Sequence, residues 1–180
     1  MQDSRRIDQL ESACFARWGY LLALNPLVSR IQLGASQDYD CYEAEVRAAF
    51  SHEAHSLGLA LSSGGSIGDD ALPVYAMFRL GGLLNMSGFR LQQLLGTRFV
   101  YGRALYQARL GSMPLLEGVY AGLAYEIADM PQAVPLNDRS SLQSGTANLA
   151  ADTPLGVAYF GVGHTNQGTA AVCLYLGKLF

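Results

Sequence analysis

No stretch of this chain approaches the ~18 consecutive apolar residues that a transmembrane helix needs, although half of its residues are apolar. Twenty glycines and many Ser, Gln and Asn interrupt the apolar runs and hold the mean hydropathy at +0.14. Such a chain could cross a membrane only with strands, which need about ten residues of alternating character each. Cysteine is sparse: Cys14, Cys41 and Cys173 form no C-x-x-C pair and no metal-ligand spacing, and read as small apolar fillers. Basic residues are few and scattered in a chain of net charge −3, which offers nucleic acid no binding patch. The opening residues, MQDSRRIDQLES, carry charge but no apolar segment of a secretory signal. If the protein is exported, the chain is expected to be a piece of a longer polypeptide, or its start to be artificial.

What the sequence does have is alternation. In Cys41–Ser51 the even positions are Tyr42, Ala44, Val46, Ala48 and Phe50, while the odd ones include Glu43, Glu45, Arg47 and Ser51. A period of two with one apolar and one polar face marks a strand. Leu57–Ser63, Glu117–Ile127 and Ala170–Phe180 repeat the pattern, and Trp18–Leu27, Arg98–Leu110, Ser141–Ala151 and Val157–Gly163 follow it less cleanly. Asn25-Pro26, Gly64-Gly65, Gly111-Ser112, Pro154-Leu155-Gly156 and Asn166-Gln167-Gly168 read as the separating turns. About nine strands joined mostly by short turns predict an all-β antiparallel meander. Faces of Leu, Val, Ala, Tyr and Phe set against faces of Gly, Ser, Gln, Arg and Glu suit a transmembrane β-barrel wall between lipid and a wet lumen. The terminal aromatic, Phe180, at the end of an alternating strand points the same way.

One region breaks the rhythm. Roughly 25 residues, about 69–93, separate two strands, a length usually reserved for functional or disordered loops. Phe78, Leu80, Leu83, Leu84, Met86 and Phe89 make it too apolar for disorder. Its motif Phe78-Arg79-Leu80-Gly81-Gly82, followed by Met86-Ser87-Gly88-Phe89, resembles the long lumenal loop of the bacterial surface antigen barrels, the outer-membrane assembly factors and two-partner translocators. Ile7–Glu11 with Phe15–Tyr20, Val119–Glu126, Ala151–Gly156 with Tyr159–Gly163, and Leu174–Phe180 are similar, in order, to further strands of that family. The ADTPLG hairpin and the MSGF tip look most like the branch fused to an N-terminal patatin-like phospholipase.

That resemblance implies the C-terminal portion of an outer-membrane barrel, residues 1–180, from a parent of about sixteen strands, since a membrane barrel must close. It implies outer-membrane lipid, the barrel assembly machinery, the missing N-terminal strands and the passenger domain as partners. The barrel would anchor the passenger and help it reach the cell surface. Tyr175, Gly177 and Phe180 would carry the C-terminal insertion signal. Where many members carry a loop-tip arginine this chain has Ser87, so no charge-assisted lock is expected from that position. Glu126, lumen-facing by alternation, is expected to pair with Arg90, Arg98 or Arg103.

No enzyme chemistry is expected of this chain. Gly64-Gly65-Ser66-Ile67-Gly68 matches the nucleophile-elbow pattern G-x-S-x-G. Asp69-Asp70-Ala71-Leu72-Pro73 follows it, a polar loop rather than the helix an elbow requires. His52 and His55 are one residue short of zincin spacing, should face opposite ways on a strand, and fit a hairpin turn better. No cofactor or metal is expected. The residues also leave open a soluble β-sandwich or lipid-binding barrel, and a nonfunctional remnant of a truncated barrel gene.

Overall fold

The computed structural model describes residues 5–8, 18–29, 39–67, 72–113, 116–131, 133–134, 141–154 and 156–177. They form an all-β fold with no α-helix among them. Eleven strands are present: β1 (Arg5–Asp8), β2 (Trp18–Ser29), β3 (Tyr39–His52), β4 (His55–Ser66), β5 (Phe78–Leu80), β6 (Leu94–Gly96), β7 (Arg98–Met113), β8 (Leu116–Asp129), β9 (Ser141–Thr153), β10 (Gly156–Thr165) and β11 (Ala170–Gly177). Nine make one antiparallel up-and-down sheet in the order β1-β2-β3-β4-β7-β8-β9-β10-β11, and β5 pairs with β6 in a separate ribbon. The ribbon belongs to the long excursion between β4 and β7, so Leu94–Gly96 is its return strand and the excursion runs a few residues beyond 93. Phe180 and the segment 68–71 lie outside the described residues, as do 9–17.

Three expected turns are strand instead. Gly64-Gly65 lies inside β4, paired with Phe99 and Arg98 of β7. The reason is space: a Cβ on Gly64 would stand 2.6 Å from Phe99 Cε1 and 2.7 Å from Phe78 Cε1, so glycine admits two aromatic rings there. Those rings pack at 5.2 Å and seat the start of the excursion on the sheet. Asn25-Pro26 lies inside β2, where Pro26 is opposite Tyr42. The β1 pairing reaches only to Leu24, so among the described residues Pro26 has a neighbour on one side, the setting in which a strand tolerates proline. Gly111-Ser112 sits within β7 at a register irregularity, and Gly111 takes φ 151°. Asn166-Gln167-Gly168 does form the β10–β11 turn.

Cross-strand register puts like with like on each face. Phe50, Leu57, Tyr106, Leu123, Ala147, Val162 and Val172 are successive partners across seven strands. This face is bare: Leu123 is 63% exposed and Leu174 81%. The opposite face is covered in part by the excursion between β4 and β7. Yet it holds Ser56, Gln107, Glu126, Ser144, Thr146, Asn148 and Thr165, each at most 5% exposed. A water-soluble sheet turns its polar face outward; here the outward face is apolar, and these polar residues lie on the inner face among apolar ones such as Phe99, Leu142 and Val157.

Candidate functional site: the docked loop

The excursion first folds on itself. Gly81 (φ 120°) and Gly82 (φ 107°) turn the chain after β5. A Cβ on Gly81 would collide with the Arg90 carbonyl oxygen, so glycine is needed for space as well as conformation. Gly81 N–H donates to Asn85 O, Gly82 N–H to Phe89 O, Phe89 N–H to Met86 O and Gln92 N–H to Gly81 O. Leu84 N–H donates to Ser87 Oγ at 2.9 Å. Leu84 and Met86 both adopt left-handed backbone, φ 54° and 66°. That conformation is unfavourable for side-chain-bearing residues and persists when the surroundings hold it.

What holds it is a carboxylate. Glu126 on β8 is fully buried. Its Oε1 accepts from Met86 N–H at 3.0 Å and its Oε2 from Ser87 N–H at 2.7 Å. Successive amides converging on one anion form a backbone nest, and hydrogen bonds to an ionised acceptor are about twice as strong as neutral ones. The Tyr101 hydroxyl stands 2.7 Å from Glu126 Oε1 and 2.8 Å from Leu84 O, and its single proton serves one at a time. Arg103, the register partner of Glu126 on β7, donates to Leu84 O.

The expected ion pairs of Glu126 are therefore replaced. Among the described residues none joins it to Arg90, Arg98 or Arg103; Arg90 and Arg98 are exposed, and Arg103 serves the loop backbone. Ser87 brings no side-chain charge to the wall; its main-chain N–H and that of Met86 meet the Glu126 carboxylate instead, a lock whose donors any residue supplies.

The remaining contacts carry the tip across the sheet. Gly88 N–H donates to Ser144 Oγ of β9 at 3.0 Å. Cys173 Sγ of β11 lies 4.0 Å from Ser87 O. On β10, a Cβ at Gly163 would stand 2.5 Å from both C and O of Ser87 and 2.7 Å from Gly88 N. One short tip thus touches β7, β8, β9, β10 and β11. Met86 and Phe89, nearly or wholly buried, complete an apolar cluster with Leu80, Leu94, Phe99, Tyr101, Met130 and Leu142. Leu83 and Leu84 pack on Tyr120, Val157 and Tyr159, together with Tyr175.

Of the motif singled out in the sequence, Phe78, Leu80, Gly81, Gly82, Met86, Ser87, Gly88, Phe89 and Glu126 meet in this one site. Tyr175 borders it, whereas Gly177 ends β11 with φ 152°. Tyr101, Ser144 and Gly163 were not singled out, Cys173 was read only as an apolar filler, and Arg103 was expected to meet Glu126 rather than the loop backbone. Alternation could have placed them on the face of Glu126, but no local pattern says which of them meets a loop many residues away.

The other residues weighed for chemistry lie elsewhere. His52 and His55 flank the two-residue turn Glu53-Ala54 and are direct cross-strand partners, so they share a face rather than opposing one another. His55 Nδ1 is 2.7 Å from the Tyr106 hydroxyl. Ser66 ends β4 opposite Cys41. Among the described residues no three His, Cys, Asp or Glu side chains gather at metal distance.

Gly163 gives a direct test of docking. Gly163→Ala should displace the tip, with a cost of about 1–3 kcal/mol for forced overpacking. Gly161→Ala, two residues away on the same face, meets nothing nearer than Tyr159 Cε1 at 3.4 Å and should be tolerated. Comparing denaturant midpoints of the two variants checks this; equal midpoints would mean that the tip is not seated on β10.

No protein-family model and no curated protein matches this chain.

Proposed function

We propose that this chain is the C-terminal portion of an outer-membrane β-barrel of the bacterial surface antigen type, which anchors an N-terminal patatin-like phospholipase passenger and helps to translocate it. The observation that carries the membrane part of this reading is the apolar character of the sheet's bare face. On β8 the bare face runs Val119, Ala121, Leu123, Tyr125, Ile127 without a charged side chain, and its one hydroxyl, that of Tyr125, donates to Gln143 Oε1 of β9 at 3.0 Å. Those nine residues span about 27 Å along the strand, or about 21 Å of bilayer at the usual tilt of about 40°. Among the described side chains of that face the charged ones, Asp40, Arg98 and Asp129, stand at strand ends. In water so large an apolar surface would be an association hazard; in lipid it is the ordinary wall.

The loop supports the family part. A short segment that docks by its tip on five strands of the polar face suits a lumenal plug, and its residues are those of the family motif. β1 and β11 each have one paired neighbour in the sheet. In a bilayer their outer edges need partners, which further strands of a longer parent would supply. In this reading the chain has no catalytic role, and Tyr175, Gly177 and Phe180 present the last strand for insertion.

Spin labels test the membrane reading. With Cys14, Cys41 and Cys173 replaced by serine and the chain folded in lipid vesicles, a nitroxide at Leu123→Cys should collide with oxygen far more than with a water-soluble nickel complex. At Glu43→Cys, on the other face and exposed, the preference should reverse. Nickel accessibility at Leu123 equal to that at Glu43 would sink the lipid-facing assignment, as would native folding without lipid or detergent.

A further inference from the structure

We infer that the wall beneath the loop is a binding site for ordered water, centred on Thr146 and Asn148, and that this water completes the docking of the loop. The inference does not depend on whether the sheet lies in a membrane. Thr146 and Asn148 are successive covered-face residues of β9, 4% and 5% exposed. The hydroxyl of Thr146 and both polar atoms of the Asn148 amide have no hydrogen-bond partner among the described residues. Three polar atoms on neighbouring side chains left dry would each carry an uncompensated desolvation penalty.

The surroundings suit water. Thr146 shares a cross-strand row with Gly163, on which the loop tip sits, and Asn148 shares one with Gly122 and Gly161. The missing side chain of Gly122 lets the Asn148 amide lie close over β8: a Cβ there would stand 2.7 Å from Asn148 Oδ1 and from Tyr106 O. Asn148 offers a donor and an acceptor, and Thr146 offers either. Two positions apart on one strand, they stand about 7 Å from each other, which a water or two can bridge with two to four partners each. A neutral, bifunctional set of groups suits water rather than an anion or a metal ion.

The sign of one substitution decides the matter. If the groups are dry, Thr146→Val removes a penalty that exists only in the docked state, so opening slows. If water joins them, Thr146→Val strips a partner from that water and from Asn148 only when the loop is docked, so opening accelerates. Opening can be read with a maleimide at Cys173, which lies against Ser87, in a background of Cys14→Ser and Cys41→Ser. Thr146→Val should raise the modification rate roughly tenfold, while Thr146→Ser, which keeps the hydroxyl, should leave it near the parent value. A rate unchanged or lowered in the valine variant overturns the inference. A crystal structure of the unsubstituted chain gives an independent answer: density within hydrogen-bond distance of Thr146 Oγ1 and the Asn148 amide supports it, and a dry contact there refutes it.

Discussion

Glu126→Ala should release the loop from the sheet while leaving the strands paired. The substitution removes the one acceptor that serves Met86 N–H, Ser87 N–H and the Tyr101 hydroxyl. The hydroxyl can turn to Leu84 O, but the two amides have no such alternative while the tip stays buried. With about 1–3 kcal/mol for each orphaned buried donor, the docked state should lose about 3–4 kcal/mol. The loop would then be open a hundredfold or more as often, since about 1.4 kcal/mol is a factor of ten. Trypsin reports this directly, because Arg90 is exposed beside the tip and becomes a substrate once the loop can enter a protease cleft. Glu126→Gln should fall between: its carbonyl satisfies one amide, its own NH2 opposes the other, and the charge assistance is gone. Tyr101→Phe, losing only the hydroxyl, should be milder still. Cleavage at Arg90 with the parent's kinetics in Glu126→Ala would mean that the apolar contacts of Met86 and Phe89 hold the loop without the carboxylate.

The lock also shows where reading the sequence stops. Strands were legible because their signal is local: the period of two in Glu117–Ile127 appears as exposed and buried alternation along β8, and that in Cys41–Ser51 less regularly along β3, where Tyr42 and Glu43 are both exposed. Glu126 could be placed on the covered face for the same reason. Its partners could not, because backbone amides are present at every residue and carry no signature. Attention to the Ser87 side chain therefore missed the Ser87 N–H. Glycine misled in the opposite direction. Gly64-Gly65 has the local look of a turn, but its role is tertiary, set by Phe78 fourteen residues later and by Phe99. Gly163 and Gly122 serve in the same way, one by receiving the loop tip and the other by making room for Asn148. A glycine in an alternating segment thus marks a bend or a close approach, and only the three-dimensional partner separates the two.

Leu123→Arg should separate a membrane wall from a soluble sheet more sharply than any deletion. In water, an exposed leucine replaced by arginine on a sheet surface changes stability by about 0.5 kcal/mol or less. At the middle of a lipid-facing strand the same change costs about 2–4 kcal/mol, falling to about 0–1 near the interfaces. Leu123 stands at the centre of the apolar run of β8, with Tyr125 and Ile127 on one side and Ala121 and Val119 on the other. Leu110 is just as exposed but lies towards the end of β7, past the pairing of Arg109 with Tyr120. In lipid, Leu123→Arg should therefore lower the unfolding free energy by several times the loss in Leu110→Arg, measured by denaturant titration in thin bilayers. Solvent exposure predicts no such difference, since the two leucines are 63% and 64% exposed. Equal and small effects would assign the bare face to water or to a protein partner; a depth-dependent cost is what a bilayer alone imposes, because only there does the penalty for a charge vary with position along a strand.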